Sequence, residues 1–469
     1  MRFFPERTKN YDEVNKMAKE PTYYKLTTAQ NIMYVSQRYS MNKAIIDINT
    51  MLHFDCEMDE KLLMQALYLA LLRNESSRVR LHKVGKEIKQ YLSDQAPDPF
   101  IVLDYSDRTE EELTADLNAW ARTPFPNKSM DTQLYVVRMI KEPSGFWGLS
   151  FCVSHLAFDA YALMAMASDA VKIYTALRDG GVIPKYKGDY LRLCETDWEM
   201  YENGKIEKNM EYWKNEVFER EPAYTEIDPD KPLRDTGKRT GRVINLLNSS
   251  ATQYNYTMPA EINKKVLERA AEMHISPQCF YLLAVRSMLS KNTNDETDVM
   301  IMSTVARRAN LLQKRSGGTR VLANPLPMFY PNDMLVKDAL NKMATTQMDL
   351  YAHYEVLCDE IIRKQFKEKW GTPEMHGYAS MSITYNPYAV QLPEGIKAHL
   401  TTYGTGANTM NCYLTIMALD DSGDLNFNYD CCNYATTPDS ARKMHEHITK
   451  ALKAIVENPE MTLIELNRL

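Results

Sequence analysis

The sequence predicts a mixed α/β protein built as two lobes, each a two-layer arrangement of strands and helices. Three observations predict it. The chain has 469 residues, more than one hydrophobic core of ordinary size holds, so two domains of roughly 200 residues each are expected. Strand-like and helix-like segments mix in similar proportion before and after the middle of the chain. Between them, "RDGGVIPKYKGDY" (178–190) replaces periodicity with Gly, Pro and charge, as a linker does. The expected division is 1–180 and 181–469, with the linker in the second part.

Each element follows from its pattern. "LTTAQNIMYVSQRY" (26–39) reads as a short helix opened by Thr, and "AIIDINTMLHFDCEM" alternates like a strand. "DEKLLMQALYLALLRN" places apolar residues at 62, 63, 66, 67, 70 and 71, one face of a helix. In "TEEELTADLNAWAR", Thr109 and Glu112 stand in capping-box spacing. "TQLYVVRMI" and "GFWGLSFCVSH" are expected to pair across the turn "KEPSG", with a helix following Asp159. After the linker come a helix near 196–219 and an irregular polar stretch to about 252. Then follow strand "YNYTM", helices "PAEINKKVLERAAEMH" and "SPQCFYLLAVRSMLSK", and strand "TDVMIMSTV". The remainder predicts a helix from Pro331, strands near 378–385, 411–418 and 424–430, and a last helix "TPDSARKMHEHITKALKAIVEN".

Composition narrows the partners. Lys and Arg number 56 against 62 Asp and Glu, a net charge of −6, which argues against nucleic acid, whose phosphates want clustered cations. Eight Cys at 56, 152, 194, 279, 358, 412, 431 and 432 form no C-x-x-C pair, so neither a zinc site nor a disulfide framework is expected. "MRFFPERTKNYDEV" has no apolar core of a signal peptide, and no run approaches the ~20 apolar residues that cross a bilayer. A reduced, cytoplasmic setting without membrane contact is the expectation. His445 and His447 in "MHEH" fall on different helix faces and make a poor metal site. "GTGAN" (404–408) lacks the strand and helix that a dinucleotide loop requires.

The chemistry concentrates in "GFWGLSFCVSHLAFDAYALMAMASDAVKIY" (145–174), where an apolar run stops at a His and an Asp follows four residues later. Counting by two, His155 shares the apolar strand face of Trp147, Leu149, Phe151 and Val153. Partial desolvation there disfavours the protonated ring, and a neutral imidazole is a usable general base. Asp159 sits where the helical period begins. On these residues alone a strand-end His bonded to a backbone group and an N-cap Asp, with no chemistry, is the favoured reading, because H-x-x-x-D is short and common.

The surrounding stretches carry a resemblance. "SHLAFDA" resembles the H-H-x-x-x-D-G motif of nonribosomal peptide synthetase condensation domains, within the wider CoA- and carrier-dependent acyltransferase superfamily. "LTTAQNIMYVSQ" looks like that family's opening segment, and "STVARRANLLQKRSGGTRVLANPLPMF" is similar to its P-V-x-x-R … N-x-L-P region. "GDLNFNYDCCNYATTPDSARKMHEHITKALKAIVENPEMTLIEL" resembles its closing strand, helix and tail. Arg308 falls on the family's Arg and Asn324 on its Asn; Ser154 replaces the first His and Ala160 the final Gly.

The resemblance implies two chloramphenicol-acetyltransferase-like lobes forming a pseudo-dimer, with a tunnel between them. It implies His155 as general base for an amine or hydroxyl attacking an acyl thioester on CoA or on a carrier's phosphopantetheine, with no permanently bound cofactor. Asp159 and Arg308 would brace the loop as a bidentate pair, and Ser154 and Asn324 are candidate substrate contacts. The window "RRANLLQKRSGGTR" holds five basic residues and no acid; it fits a phosphate dock or a solvated loop. Two other functions stay open: an O- or N-acetyltransferase using soluble CoA thioesters, and a non-catalytic module that recruits a carrier or partner.

Overall fold

A computed structural model describes residues 21–124, 130–203, 205–235, 237–242, 248–354, 359–373, 376–387 and 392–469. Two large sheets organise them. The first has the order Ala398–Tyr403, Asp47–Phe54, Trp147–Ser154, Tyr135–Lys141, Ile101–Asp104. Its third strand, Trp147–Ser154, is buried along its whole length. Helices Glu60–Arg73 and Ala160–Arg178 cover one face, where Leu63, Leu67 and Leu71 are 0% exposed, each worth roughly 1.5–3 kcal/mol by burial. Helix Glu110–Ala121 packs Leu113 and Leu117 with Met51 and Ile140 in a separate small core. Its start is the expected capping box: Thr109 Oγ1 accepts from the Glu112 amide and Glu112 reaches back to the Thr109 amide.

The second sheet has six strands: Leu322–Phe329, Asp298–Val305, Met381–Asn386, Cys412–Met417, Leu425–Cys432 and Ala251–Met258. Helices Ala260–Met273, Gln278–Asn292, Val336–His353 and Pro438–Glu457 contribute to the core under one face. The early and late parts of the chain are stitched together. Strand Ala398–Tyr403 comes from the late part of the chain yet pairs antiparallel with Asp47–Phe54 over six positions. The stretch expected as a linker is coil from 181 to 189, and the helix after it starts at Tyr190, capped by Asp189, rather than near 196.

Several elements depart from the sequence-based expectation. Leu322–Phe329 forms a strand despite Pro325 and Pro327. It is the edge strand of its sheet, and the prolines occupy alternate positions, so their missing N–H groups can face the open side. The hairpin Val79–Val84/Glu87–Leu92, turning at Gly85 with φ +64°, is an additional element whose only sequence signal is alternation around a Gly. Helices Leu311–Arg315 and Asp359–Trp370 also lie outside the expected elements. Cys431 and Cys432 end a buried strand, while Cys358 lies outside the described residues. Among the described residues no helix is long and apolar enough to cross a membrane.

Candidate active site

The strand that carries the motif hands His155 to its place. Its amide donates to the Ile46 carbonyl at 2.9 Å, extending the ladder one residue past Ser154. The chain then turns: the Ser154 carbonyl accepts from the amides of Ala157 (3.0 Å) and Phe158 (3.1 Å). Asp159 adopts an extended N-cap conformation, and its Oδ1 accepts from the Ala162 amide at 2.7 Å. Ala160 is the first helical residue, so nothing at that position demands glycine.

His155 Nδ1 lies 2.9 Å from Thr319 Oγ1, and the Thr319 hydroxyl in turn reaches the Phe158 carbonyl at 3.3 Å. A carbonyl only accepts, so the Thr319 proton goes to Phe158. Its oxygen is then left to accept from Nδ1–H. The chain of bonds therefore favours the Nδ1–H tautomer, with the Nε2 lone pair free. The residue keeps partial exposure, yet burial lowers the ring's pKa below its ordinary value, only partly opposed by the charge of Asp159. Thr319 is a positioning residue that sequence reasoning missed. Thr319→Val is expected to lower kcat about fivefold, the ~1 kcal/mol of one hydrogen bond, with KM unchanged. Thr319→Ser should restore kcat; steady-state kinetics of acyl transfer checks both.

Asp159 and Arg308 meet in the interior, with side chains 0% and 1% exposed. The pair is not the expected two-pronged fork. Nη2 alone bridges both carboxylate oxygens, at 2.9 and 3.0 Å, because Nη1 is taken by the carbonyls of Gln313 (2.6 Å) and Ser316 (2.8 Å). Nη2 also donates to the Gly318 carbonyl at 2.8 Å. The Arg320 amide completes the carboxylate's shell at 3.0 Å, and the guanidinium lies 4.9 Å from the Tyr161 ring centroid. Asp159 thus anchors the segment that delivers Thr319 to His155.

Gly318 makes that anchoring possible. It holds φ +88°, a left-handed conformation, and a Cβ there would overlap the buried Tyr190 ring. Gly318→Ala is expected to cost about 2–4 kcal/mol, overpacking and backbone strain together. Denaturant unfolding would measure it.

The other expected site residues lie elsewhere. Ser154 is 0% exposed, its Oγ accepting from the Leu156 amide at 3.4 Å, so it serves the turn. Asn324 is also 0% exposed, its Nδ2 donating to the Tyr354 carbonyl at 2.8 Å while Oδ1 has no partner. The basic window divides. Arg307, Arg308 and Arg320 are buried, Arg307 paired with Asp197 at 2.5 Å, whereas Lys314 and Arg315 are exposed. His445 stacks on Tyr256 and His447 bonds Ser287. Among the described residues no group of three or more His, Cys, Asp and Glu could hold a metal.

Comparison with known proteins gives a consistent picture. The sequence profile of the family described as "Condensation domain" matches residues 20–469. Tyrocidine synthase 3 of Brevibacillus parabrevis is 18% identical over 450 residues, covering 95% of this chain and 6% of that protein. Bacitracin synthase 2 of Bacillus licheniformis is 17% identical over 469 residues, covering 100% of this chain and 17% of that protein. This chain therefore spans a small fraction of the curated relatives it matches. Among solved structures, the first condensation domain of the calcium-dependent antibiotic synthetase, in complex with a substrate analogue, superposes with a TM-score of 0.80. It has 16% identity and covers 95% of this chain and 99% of that one. A variant of the starter condensation domain of rhizomide synthetase, in complex with C8-CoA, gives a TM-score of 0.80 at 15% identity. There the coverage is 97% of this chain and 99% of that one.

Proposed function

Because the chain belongs to the condensation-domain family, we propose that it is an acyltransferase joining a thioester-bound acyl group to an amine or hydroxyl acceptor, with His155 as general base. The acceptor's lone pair attacks the thioester carbonyl and its proton passes to Nε2. The tetrahedral adduct then collapses, the C–S bond breaks, and the imidazolium returns the proton to the leaving thiolate. The observation that carries this reading is the hydrogen-bond chain Phe158–Thr319–His155, which favours the tautomer with Nε2 free, in a ring whose pKa burial lowers. A histidine that is desolvated yet still partly exposed fits the wall of a crevice. We place that crevice between a first lobe, 1–180 with the strand Ala398–Tyr403 added to its sheet, and a second made of the rest of 181–469. Asp159 and Arg308 hold its loop and carry no proton.

The donor is read as a CoA or carrier-bound phosphopantetheine thioester, used as substrate. The starter condensation domain solved with C8-CoA supports the CoA form, and the peptide-synthase relatives support the carrier form. The seven described cysteines form no disulfide, although Cys412 and Cys431 face each other across two strands; a reducing, cytoplasmic setting is part of the proposal. The test is incubation with mixed acyl-CoA and acyl-carrier thioesters and a panel of amines and alcohols, read by mass spectrometry. A new amide or ester, absent with His155→Ala, is the expected result. Equal product from the variant would overturn the assignment.

A further inference from the structure

The second sheet buries one face and leaves the other unfinished. On the helix-covered face, Ile301, Ile383, Leu414 and Phe427 are at most 1% exposed. On the opposite face, cross-strand register sets Met302, Ser382, Tyr413, Asp430 and Gln253 in one row. Tyr413, Asp430 and Gln253 keep partial exposure there, as do Thr304, Thr384 and Thr415. A sheet face simply turned to solvent usually carries Lys and Glu. Yet Asp430 is the only Asp, Glu, Lys or Arg in the four strands Met381–Asn386, Cys412–Met417, Leu425–Cys432 and Ala251–Met258.

That carboxylate is unprovided for. Tyr413 Oη bonds Thr304 Oγ1 at 2.9 Å and Thr384 Oγ1 at 2.6 Å, but Asp430 Oδ1 and Ser382 Oγ are buried without a partner. Desolvation is the sole influence on the Asp430 carboxyl, pushing it up to about 7; among the described residues no cation stands beside it. A carboxylate oxygen buried without a partner is costly, and a bound cation would offset that cost.

Asp430 also faces the right place. Its cross-strand neighbour Gln253 accepts the Gly404 amide at 2.9 Å, and Asn428 Nδ2 donates to Thr402 Oγ1 at 3.0 Å. Gly404 follows Tyr403, which pairs with Asn49, which pairs with Cys152, three residues before His155. The polar face of the second sheet therefore meets the first sheet at the end where His155 stands. Two strand spacings, roughly 10 Å, separate the strand leading to Gly404 from the His155 strand.

We infer that Asp430 is the anchor of an acceptor subsite for an alkyl ammonium, the far end of an acceptor whose reacting group is directed toward His155. The catalytic meaning of this subsite rests on the acyl-transfer reading; the binding does not.

Calorimetry with 1,5-diaminopentane and its uncharged near-isostere 1,5-pentanediol tests it, on the full chain as wild type, Asp430→Asn and His155→Ala. The wild type should bind the diamine at least about tenfold tighter than the diol, the scale of one desolvated charge pair. Asp430→Asn, an isosteric change whose folding circular dichroism would check, should reduce that preference below about twofold, the loss of that same pair. His155→Ala should keep it. No preference in the wild type, a preference surviving in Asp430→Asn, or one lost in His155→Ala would each overturn the subsite. Were acyl transfer absent from the wild type while the Asp430-dependent preference remained, the subsite would stand and only the acyl-transfer reading would fall.

Discussion

Replacing His155 by alanine is expected to slow acyl transfer by about 10²–10⁴-fold, the usual contribution of a positioned general base. The loss should fall on kcat, because orientation of the two substrates by the remaining walls is untouched. Stability should change little: the ring's described side-chain bond is the one to Thr319, worth ~1 kcal/mol. Single-turnover mass spectrometry with an acyl-CoA donor measures the rate, and a thermal melt checks the fold. The pH dependence has a definite sign. Burial lowers the His155 pKa, so the base stays unprotonated below the ordinary histidine value of about 6.5. The acid limb of kcat/KM should accordingly lie below that value in the wild type.

The second large effect is on stability. Arg308→Ala is expected to cost about 3–5 kcal/mol, because it strips the partner from a carboxylate that is fully enclosed. The truncation also deprives the carbonyls of Gln313, Ser316 and Gly318 of a donor. Arg308→Lys should recover only part of the loss, since one ammonium cannot span Asp159 and three carbonyls at once. The double variant Asp159→Ala/Arg308→Ala should be less destabilised than the two single losses summed, with a coupling of about 1–3 kcal/mol. Chemical unfolding of the four proteins closes the cycle. Activity should fall with stability, since this pair holds the segment that brings Thr319 to His155.

How much of this is written in the sequence depends on the range over which each signal acts. Elements set by local pattern are legible. The helix capped by Thr109 runs Glu110–Ala121, and the hairpin Tyr135–Lys141/Trp147–Ser154 pairs as its alternation implies. The four stretches that carry the family resemblance all lie within the matched span 20–469. Elements fixed by distant partners are not legible. Nothing in "AHLTTY" announces that Ala398–Tyr403 joins a sheet whose other strands lie more than two hundred residues away. Leu322–Phe329 is hidden by two prolines that only an edge position tolerates.

The site divides in the same way. His155, Asp159 and Arg308 stand out through spacing and resemblance, and the structure brings Asp159 and Arg308 together. Thr319 and Gly318 escape because their importance is tertiary: one hydroxyl meets an imidazole 164 positions away, and one glycine clears the Tyr190 ring. The five basic residues of 307–320 mislead for a related reason. A run of cations reads as surface, yet three of these arginines turn inward, two of them onto buried carboxylates supplied from elsewhere in the chain.

Nitrogen-15 chemical shifts of the His155 ring, recorded near pH 7 on uniformly labelled protein and assigned by their loss in His155→Ala, decide whether Nε2 is free to take a proton. A neutral ring protonated on Nδ1, converting to the Nε2–H form in part or whole when Thr319 becomes valine, is the predicted result. An imidazolium at that pH, or a proton already resident on Nε2 in the wild type, would contradict it.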